Sequence, residues 1–288
     1  MRKVTVPSPD RAKQPLAEVF GFPIDNSSKE AGRCRKHRLC PFGNRVPNCT
    51  KDKANKPLGV CSIYDDSAVV ITCPVRFREG WIIAEDAASF FFQPGSKWTT
   101  LTEVRLKDKA GKSAGNIDVV LVSYDDTGRV TDFGALEVQA VYISGNIRNP
   151  FEDFISNSAR GSAFDWTGRQ NYPTPDYVSS SRKRLAPQLI FKGGILDAWG
   201  KKTAVALNRG VFEAMSPLQE VEKHKAGVAW LIYDLRPSCA AGERYEMFLE
   251  RVVYTERPEA LGGVRLSQAQ PIDTFINQIL DGLEEIVV

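Results

Sequence analysis

Two acidic residues and one amide lie on neighbouring stretches of the sequence that have the composition of β-strands. Asp118 belongs to a stretch rich in Val and Leu, and Glu137 and Gln139 belong to the next one. Side chains two residues apart on a strand point to the same face, so Glu137 and Gln139 project together. Asp118 and Glu137 are equally far from the turn-forming residues at 127–128, so a simple hairpin would place the two carboxylates opposite each other.

Opposed carboxylates repel each other unless a cation lies between them. A hard divalent ion such as Mg²⁺ binds a few carboxylate oxygens and waters. A bound Mg²⁺ would stabilise negative charge that develops beside it and activate a water. Asp118 and Glu137 are therefore predicted as ligands of a catalytic Mg²⁺, Gln139 as the side chain that positions water or metal, and Glu103 as a supporting acid. The alternative is a surface hairpin whose acids are solvated.

A cluster of cysteines provides a second candidate site. Five of the six cysteines lie between Cys34 and Cys73, and four of them are separated by 8, 11 and 11 residues. These four are Cys40, Cys49, Cys61 and Cys73. Four thiolates suit a structural zinc or iron ion, and the metal would supply folding free energy to a segment with little apolar material. Ordinary buried thiols are the alternative on spacing alone.

The elements that must position these residues can be read from hydrophobic periodicity. Residues 1–80 are predicted to be a loop-rich module, and residues 145–184 a polar, irregular segment. Helices are predicted at 84–92, 185–206 (kinked, or two short helices) and 271–288 (amphipathic). Strands are predicted at 101–106, 117–124, 134–143, 227–234 and 246–255. This order favours an α/β (α+β) core of mixed sheet flanked by helices, residues 81–288, behind the cysteine-rich module 1–80.

Composition excludes some classes and suggests an anionic partner. The 288 residues, 42% hydrophobic and 25% charged, are enough for a real core, which excludes a disordered chain. Neither a signal peptide nor a membrane-spanning run is evident, so a reducing, cytoplasmic compartment without membrane attachment is expected. Residues 1–60 hold 13 Lys or Arg against 5 Asp or Glu, and residues 145–210 hold 10 against 5. Two basic regions thus flank the acidic hairpin.

The motifs together resemble the NotI-type restriction endonucleases. The matching segments are Cys40-Pro-Phe, Cys49, Gly59-Val-Cys61, Cys73-Pro74, Asp118, Gly134-Ala-Leu-Glu137-Val-Gln139, Tyr172-Pro-Thr-Pro-Asp176 and Trp230-Leu-Ile-Tyr-Asp-Leu235. The stretch Leu189 to Ala206, predicted as helical, is also similar, so the similarity covers most of the chain. Compared with the enzyme for which the family is named, the chain is shorter between Cys73 and Glu103 and at the carboxyl end. Cys34 has no counterpart.

The resemblance implies a PD-(D/E)xK nuclease core in which Gln139 replaces the usual lysine. It implies that Glu103, Asp118, Glu137 and Gln139 form the active site and that the four cysteines hold iron, or zinc. It further implies a homodimer that cleaves double-stranded DNA at a short GC-rich palindrome, with a cognate DNA methyltransferase that protects the host genome.

Basic side chains are the candidates for contact with DNA, because Arg and Lys bind phosphates and can donate to guanine in the major groove. The candidates are Arg169, Arg182, Lys183 and Arg184, with Lys192, Lys201 and Lys202 as further candidates for a phosphate contact. Two other functions stay open at this point. One is a metal-stabilised DNA-binding protein without catalysis, and the other is a restriction-like nuclease of repair or mobile-element processing.

Overall fold

The computed structural model describes residues 13–43, 48–52, 55–66, 68–238 and 244–265. The amphipathic helix predicted at 271–288 lies outside these residues, as does Cys239. No helix in the described ranges combines the length and the apolarity needed to cross a bilayer.

A four-stranded antiparallel sheet occupies the amino-terminal part of the chain, with strand order β2-β1-β3-β4. Its strands are β1 (Leu16–Val19), β2 (Phe22–Pro23), β3 (Val60–Asp65) and β4 (Ala68–Ile71). Helix α1 (Lys29–His37) connects β2 to β3 and begins at Ser28, whose hydroxyl accepts a hydrogen bond from the backbone N–H of Ala31. The prediction of a loop-rich module was therefore wrong for these residues. These strands are only two to six residues long, and they lie among Pro- and Gly-containing stretches that favour turns.

A six-stranded mixed sheet forms the centre of the molecule, in the order β12-β11-β10-β7-β6-β5. Its strands are β5 (Lys97–Lys107), β6 (Ser113–Tyr124), β7 (Val130–Gln139), β10 (Thr203–Asn208), β11 (Val228–Pro237) and β12 (Tyr245–Thr255). Strands β5, β6 and β7 form an antiparallel meander, and β10 runs parallel to both β7 and β11. The α+β class with a mixed sheet flanked by helices is thus confirmed.

Helices and short elements cover the sheet. A 3-10 helix (Pro74–Trp81) leads into α2 (Ile82–Phe91), and a π-helical segment (Ser180–Leu185) leads into α6 (Ala186–Ala198). The remaining elements are β8 (Tyr142–Ser144), β9 (Thr174–Asp176), α3 (Arg148–Ser156), α4 (Ser158–Ala163), α5 (Tyr177–Ser179), α7 (Arg209–Glu213) and α8 (Arg257–Arg265).

Two stretches differ from their predicted structure. The segment predicted as polar and irregular, 145–184, contains helices α3 and α4 and most of the π-helical turn. The kinked helix predicted at 185–206 is the single helix α6 followed by strand β10. Strand β10 is buried at every position because it lies between two other strands and is covered on both faces. Such a strand lacks the alternating pattern that would distinguish it from a buried helix.

The central sheet separates two large hydrophobic clusters. On one face, Leu189 of α6 packs with Val205 and Trp230, and the same cluster includes residues of β1 and β3. On the other face, Ile83 of α2 packs with Ala204 of β10. The alternation of Ala204 and Val205 between the two clusters follows from the two-residue period of a strand. Helix α6 thus covers one face of the sheet that carries the acidic residues, and helix α2 covers the other face.

Candidate active site

Asp118 and Glu137 are neighbours on the central sheet. Strands β6 and β7 pair in register up to Val119↔Leu136, so the next residues along the ladder are Asp118 and Glu137. The register predicted from the turn at 127–128 is confirmed. The backbone N–H of Val138 donates a hydrogen bond of 2.8 Å to Asp118 Oδ2, which holds this carboxylate against β7.

Glu103 lies on the outer strand of the same three. It stands opposite Asp118, in the gap between two ladder pairs of β5 and β6. Its φ of 56° is in the left-handed region, which is uncommon for a residue other than glycine and breaks the regular ladder there. Its side chain is 59% exposed, with 3.8 Å between its Oε1 and Arg78 Nη2. Glu103, Asp118 and Glu137 therefore form one row across three adjacent strands.

Glu137 is the buried member of this row, with 2% of its surface exposed. Lys192 of α6 donates a hydrogen bond of 2.6 Å to Glu137 Oε2, and a second of 2.7 Å to the carbonyl oxygen of Asn116. Glu137 Oε1 has no hydrogen-bond partner. Burial and the nearby Asp118 carboxylate raise the pKa of Glu137 to about 8, against the opposing effect of Lys192. The alternative of a hairpin with solvated acids is wrong for Glu137.

Gln139 is also buried, two residues further along β7. Its amide Nε2 donates a hydrogen bond of 2.6 Å to the carbonyl oxygen of Ala140. This bond fixes the amide at the end of the strand, where its side chain reaches the same cleft as Asp118.

An open cleft of about 640 Å³ gives access to the row of acids. The central sheet contributes Glu103, Asp118 and Gln139 to its wall, and the residues after β7 contribute Tyr142. The amino-terminal part contributes Lys51 and Arg78, and the helical side contributes Arg184 and Gln188. Three of the four predicted active-site residues therefore line one cleft, and the fourth, Glu137, is buried beside them.

The donor atoms at this place suit a hard divalent cation. Asp118 and Glu137 offer carboxylate oxygens only, and a buried oxygen without a partner, Glu137 Oε1, is costly unless a cation or water binds it. Within the described ranges, no group of three or more His, Cys, Asp or Glu side chains is arranged to hold a metal ion. Mg²⁺ needs no such group, because it is commonly bound through one or two carboxylates and keeps several waters.

The four cysteines of the second candidate site lie near one another. Cys73 raises the pKa of Cys40, Cys49 and Cys61, so their sulfurs are within electrostatic reach of Cys73. Burial is the larger cause, and it raises the pKa of Cys49 to about 11. All four are free thiols, as is Cys34 on α1. Since no metal-holding group occurs in the described part of the chain, the four-cysteine site stays a prediction.

The basic candidates fall into two places. Arg182, Lys183 and Arg184 are exposed on the π-helical segment, and the Arg184 guanidinium lies 4.3 Å from the centre of the Tyr142 ring at the cleft. Arg169 lies 5.3 Å from the centre of the Phe164 ring, in a separate cavity. The other residues of that cavity are Asn146, Asn149, Trp166, Gln170, Asn171, Tyr172 and Pro173. Only the first group adjoins the acidic row.

Lys192 does not occupy the position predicted for it. A phosphate contact requires an exposed ammonium group, but Lys192 is 5% exposed and bonded to Glu137. Its sequence context carried a signal, because it lies three residues after Leu189 and four before Leu196, on the buried face of α6. A lysine at such a position is rarely buried unless it is paired with an acid.

A mixed sheet flanked by helices, with adjacent carboxylates opening to a cleft, is the arrangement of a restriction-endonuclease-like core. The family model described as restriction endonuclease NotI matches residues 18–247 of the chain, which is most of its length. The chain therefore belongs to the NotI restriction endonuclease family, whose members act on DNA. A search of curated proteins found no match.

Proposed function

We propose that the protein is a type II restriction endonuclease that hydrolyses phosphodiester bonds of double-stranded DNA in the presence of Mg²⁺. The observation that carries the proposal is the buried Glu137 oxygen without a partner, next to Asp118 at the cleft of a NotI-family chain. The family match supports a DNA-cleaving enzyme. The chemistry of the donor atoms supports Mg²⁺ as the cofactor.

Each residue of the row would have its own role in the reaction. Asp118 and Glu137 would hold the Mg²⁺, which when bound stabilises charge on the scissile phosphate and activates water. Glu103, the most exposed of the three acids, would bind a metal-bound water or a second cation at the mouth of the cleft. Gln139 would orient the attacking water with its amide, which the Ala140 carbonyl holds in place. Arg184 at the cleft would contact a DNA phosphate, together with Arg182 and Lys183.

Substitution of Glu137 by Gln tests this function. Glu137→Gln removes the ligand charge and keeps the side-chain volume, so cleavage of plasmid DNA in Mg²⁺ should fall by roughly 100-fold or more. The circular dichroism spectrum should match that of the wild type. Asp126→Asn is a matched control, since Asp126 is an exposed carboxylate on the turn between β6 and β7. Undiminished cleavage by Glu137→Gln would remove Glu137 from the active site.

The wild-type protein also distinguishes the other functions. A shift of duplex DNA in a gel, without cleavage of any sequence in Mg²⁺ or Mn²⁺, would favour a DNA-binding protein without catalysis. Cleavage at many unrelated sites would favour a nuclease of repair or mobile-element processing. A restriction enzyme gives one fixed cut in one short sequence, and sequencing the ends of digested DNA would identify it.

We further propose that the enzyme acts as a homodimer on a GC-rich palindrome in the cytoplasm, with a cognate DNA methyltransferase that protects the host. A two-fold dimer suits a palindrome because each subunit then cuts one strand. Arginine and lysine donors suit guanine, and exposed Arg182, Lys183 and Arg184 supply such donors beside the cleft. Sedimentation of the protein with and without its site would give the stoichiometry.

We propose as well that Cys40, Cys49, Cys61 and Cys73 hold a structural iron or zinc ion. The proposal is supported by the electrostatic proximity of the four thiols and by the burial of three of them. Soft thiolate ligands favour zinc and iron over Mg²⁺. A divalent ion would also lower the thiol pKa values that burial raises, because metal binding releases the thiol protons.

A further inference from the structure

Lys192 is the buried cation among the acids of the candidate active site. The row of Glu103, Asp118 and Glu137 carries three carboxyl groups, and Lys192 reaches it from α6, a helix on one face of the sheet. Its ammonium group is held by two contacts, Glu137 Oε2 at 2.6 Å and the Asn116 carbonyl oxygen at 2.7 Å. Because Asn116 is on β6 and Glu137 on β7, one side chain ties the helix to both strands of the hairpin.

The two oxygens of Glu137 are thereby made unequal. Oε2 is occupied by the ammonium group, whereas Oε1 has no hydrogen-bond partner. A carboxylate restrained at one oxygen presents the other oxygen to a cation in a fixed orientation. Outer contacts of this kind commonly set the position and basicity of metal ligands.

The helix presents more than this lysine to the site. Gln188, one turn before Lys192 on α6, lines the cleft that contains Asp118, as does Arg184 of the preceding π-helical segment. Gln188 Oε1 is buried without a hydrogen-bond partner in the described part of the chain, as Glu137 Oε1 is. The π-helical segment thus places an exposed cation, Arg184, at the mouth of the cleft, and α6 places a buried one, Lys192, at the acids.

We propose that Lys192 is a positioning residue that holds Glu137 as a one-oxygen ligand and offsets the charge of the acidic row. Its effect on cleavage rests on the proposed function. Its effect on cation binding does not. The ammonium group repels a divalent ion bound at Glu137 Oε1, so the lysine lowers cation affinity while it improves the geometry of the ligand.

These opposite effects on cation affinity and on cleavage distinguish a positioning lysine from one that only stabilises the fold. Lys192→Met should bind Mn²⁺ more tightly than the wild type, on the order of 10-fold, because a nearby positive charge is gone. Binding would be measured without DNA, from the electron paramagnetic resonance signal of free Mn²⁺. Cleavage by the same variant at saturating Mg²⁺ should be roughly 100-fold slower, because Glu137 loses its restraint.

Lys97→Met is the matched control, since Lys97 forms a 2.5 Å pair with Asp126 on the exposed edge of the same sheet. It should leave both readouts at wild-type values. Unchanged or weaker Mn²⁺ binding by Lys192→Met would overturn the proposal. If that variant does not fold, Lys192→Gln, which keeps a hydrogen-bond donor without the charge, is judged by the same two readouts. A wild type that cleaves no DNA defeats the proposed function, while the Mn²⁺ titration still decides the role of Lys192.

Discussion

At the level of single residues, the buried side chain of Arg76 connects the two sheets. The Arg76 side chain is fully buried, and its Nε donates to Glu18 Oε2 of β1 at 3.1 Å. It also donates to Glu79 at 2.7 Å and to the Tyr245 carbonyl oxygen of β12 at 2.8 Å. The attraction of Glu18 and Glu79 outweighs desolvation and raises the pKa of Arg76, so the guanidinium stays charged. Glu18 depends on Arg76, because Glu18 is itself fully buried.

We expect Arg76→Leu to destabilise the fold by about 3–5 kcal/mol, since it leaves the Glu18 charge buried without a counter-ion. Urea unfolding followed by circular dichroism measures the loss. Arg236→Leu is the comparison, because Arg236 pairs with Glu246 at 3.8 Å on the exposed side of β11 and β12. An exposed pair of this kind contributes below about 1 kcal/mol. Equal losses from the two substitutions would show that the buried pair has no special role.

At the level of elements, the position of α2 depends on a glycine in β7. A Cβ atom at Gly134 would lie 2.5 Å from the Phe91 ring, which is closer than real side chains approach. Phe91 is the last residue of α2, and Gly134 precedes Glu137 on β7 by three residues. The bare backbone at Gly134 therefore lets the helix pack directly on the strand that carries the active-site acid.

Gly134→Ala should cost about 1–3 kcal/mol, because the Phe91 ring must move within a packed core. Thermal unfolding would detect a lower melting temperature. Gly32 lies in the exposed middle of α1, where an added Cβ meets nothing within 4 Å. Gly32→Ala should therefore raise the melting temperature, because alanine stabilises a helix by roughly 0.5–1 kcal/mol relative to glycine. A Gly134 variant as stable as the wild type would mean that α2 shifts freely.

Local and distant parts of the site differed in how far the sequence could predict them. The pairing of Asp118 with Glu137 was predictable, because one hairpin turn and the strand period fix it. Strand β10, which supports Glu137 from its other side, was predicted as part of a helix, and its Val205 pairs with Glu137 across 67 residues of intervening chain. The place of Lys192 on the buried face of α6 indicates an acidic partner, but it does not identify that partner as Glu137. No local sequence pattern predicts which helix packs over which strand.

At the scale of the whole molecule, the amino-terminal sheet is packed into the core of the larger one. Val19 of β1 and Val60 of β3 belong to the same cluster as Trp230 of β11. The backbone N–H of Val141, just after β7, donates a hydrogen bond of 2.8 Å to the carbonyl oxygen of Ile71 in β4. The division into modules 1–80 and 81–288 stays a prediction. Because of these contacts, an interaction that stabilises the cysteine-rich part also stabilises the sheet that forms the cleft.

The proposed metal at the four cysteines should accordingly stabilise the whole fold. Elemental analysis of protein purified without oxygen should find about one iron or zinc per chain, and a chelator should lower the melting temperature, because metal binding adds to the folding free energy. Cys61→Ser should lose the metal. Cys34→Ser is the matched control, since Cys34 is a buried thiol of the same region that lies outside the proposed ligand set, and it should keep the metal. Protein that contains no metal, or a Cys34→Ser variant that loses it as Cys61→Ser does, would contradict the assignment of the four ligands.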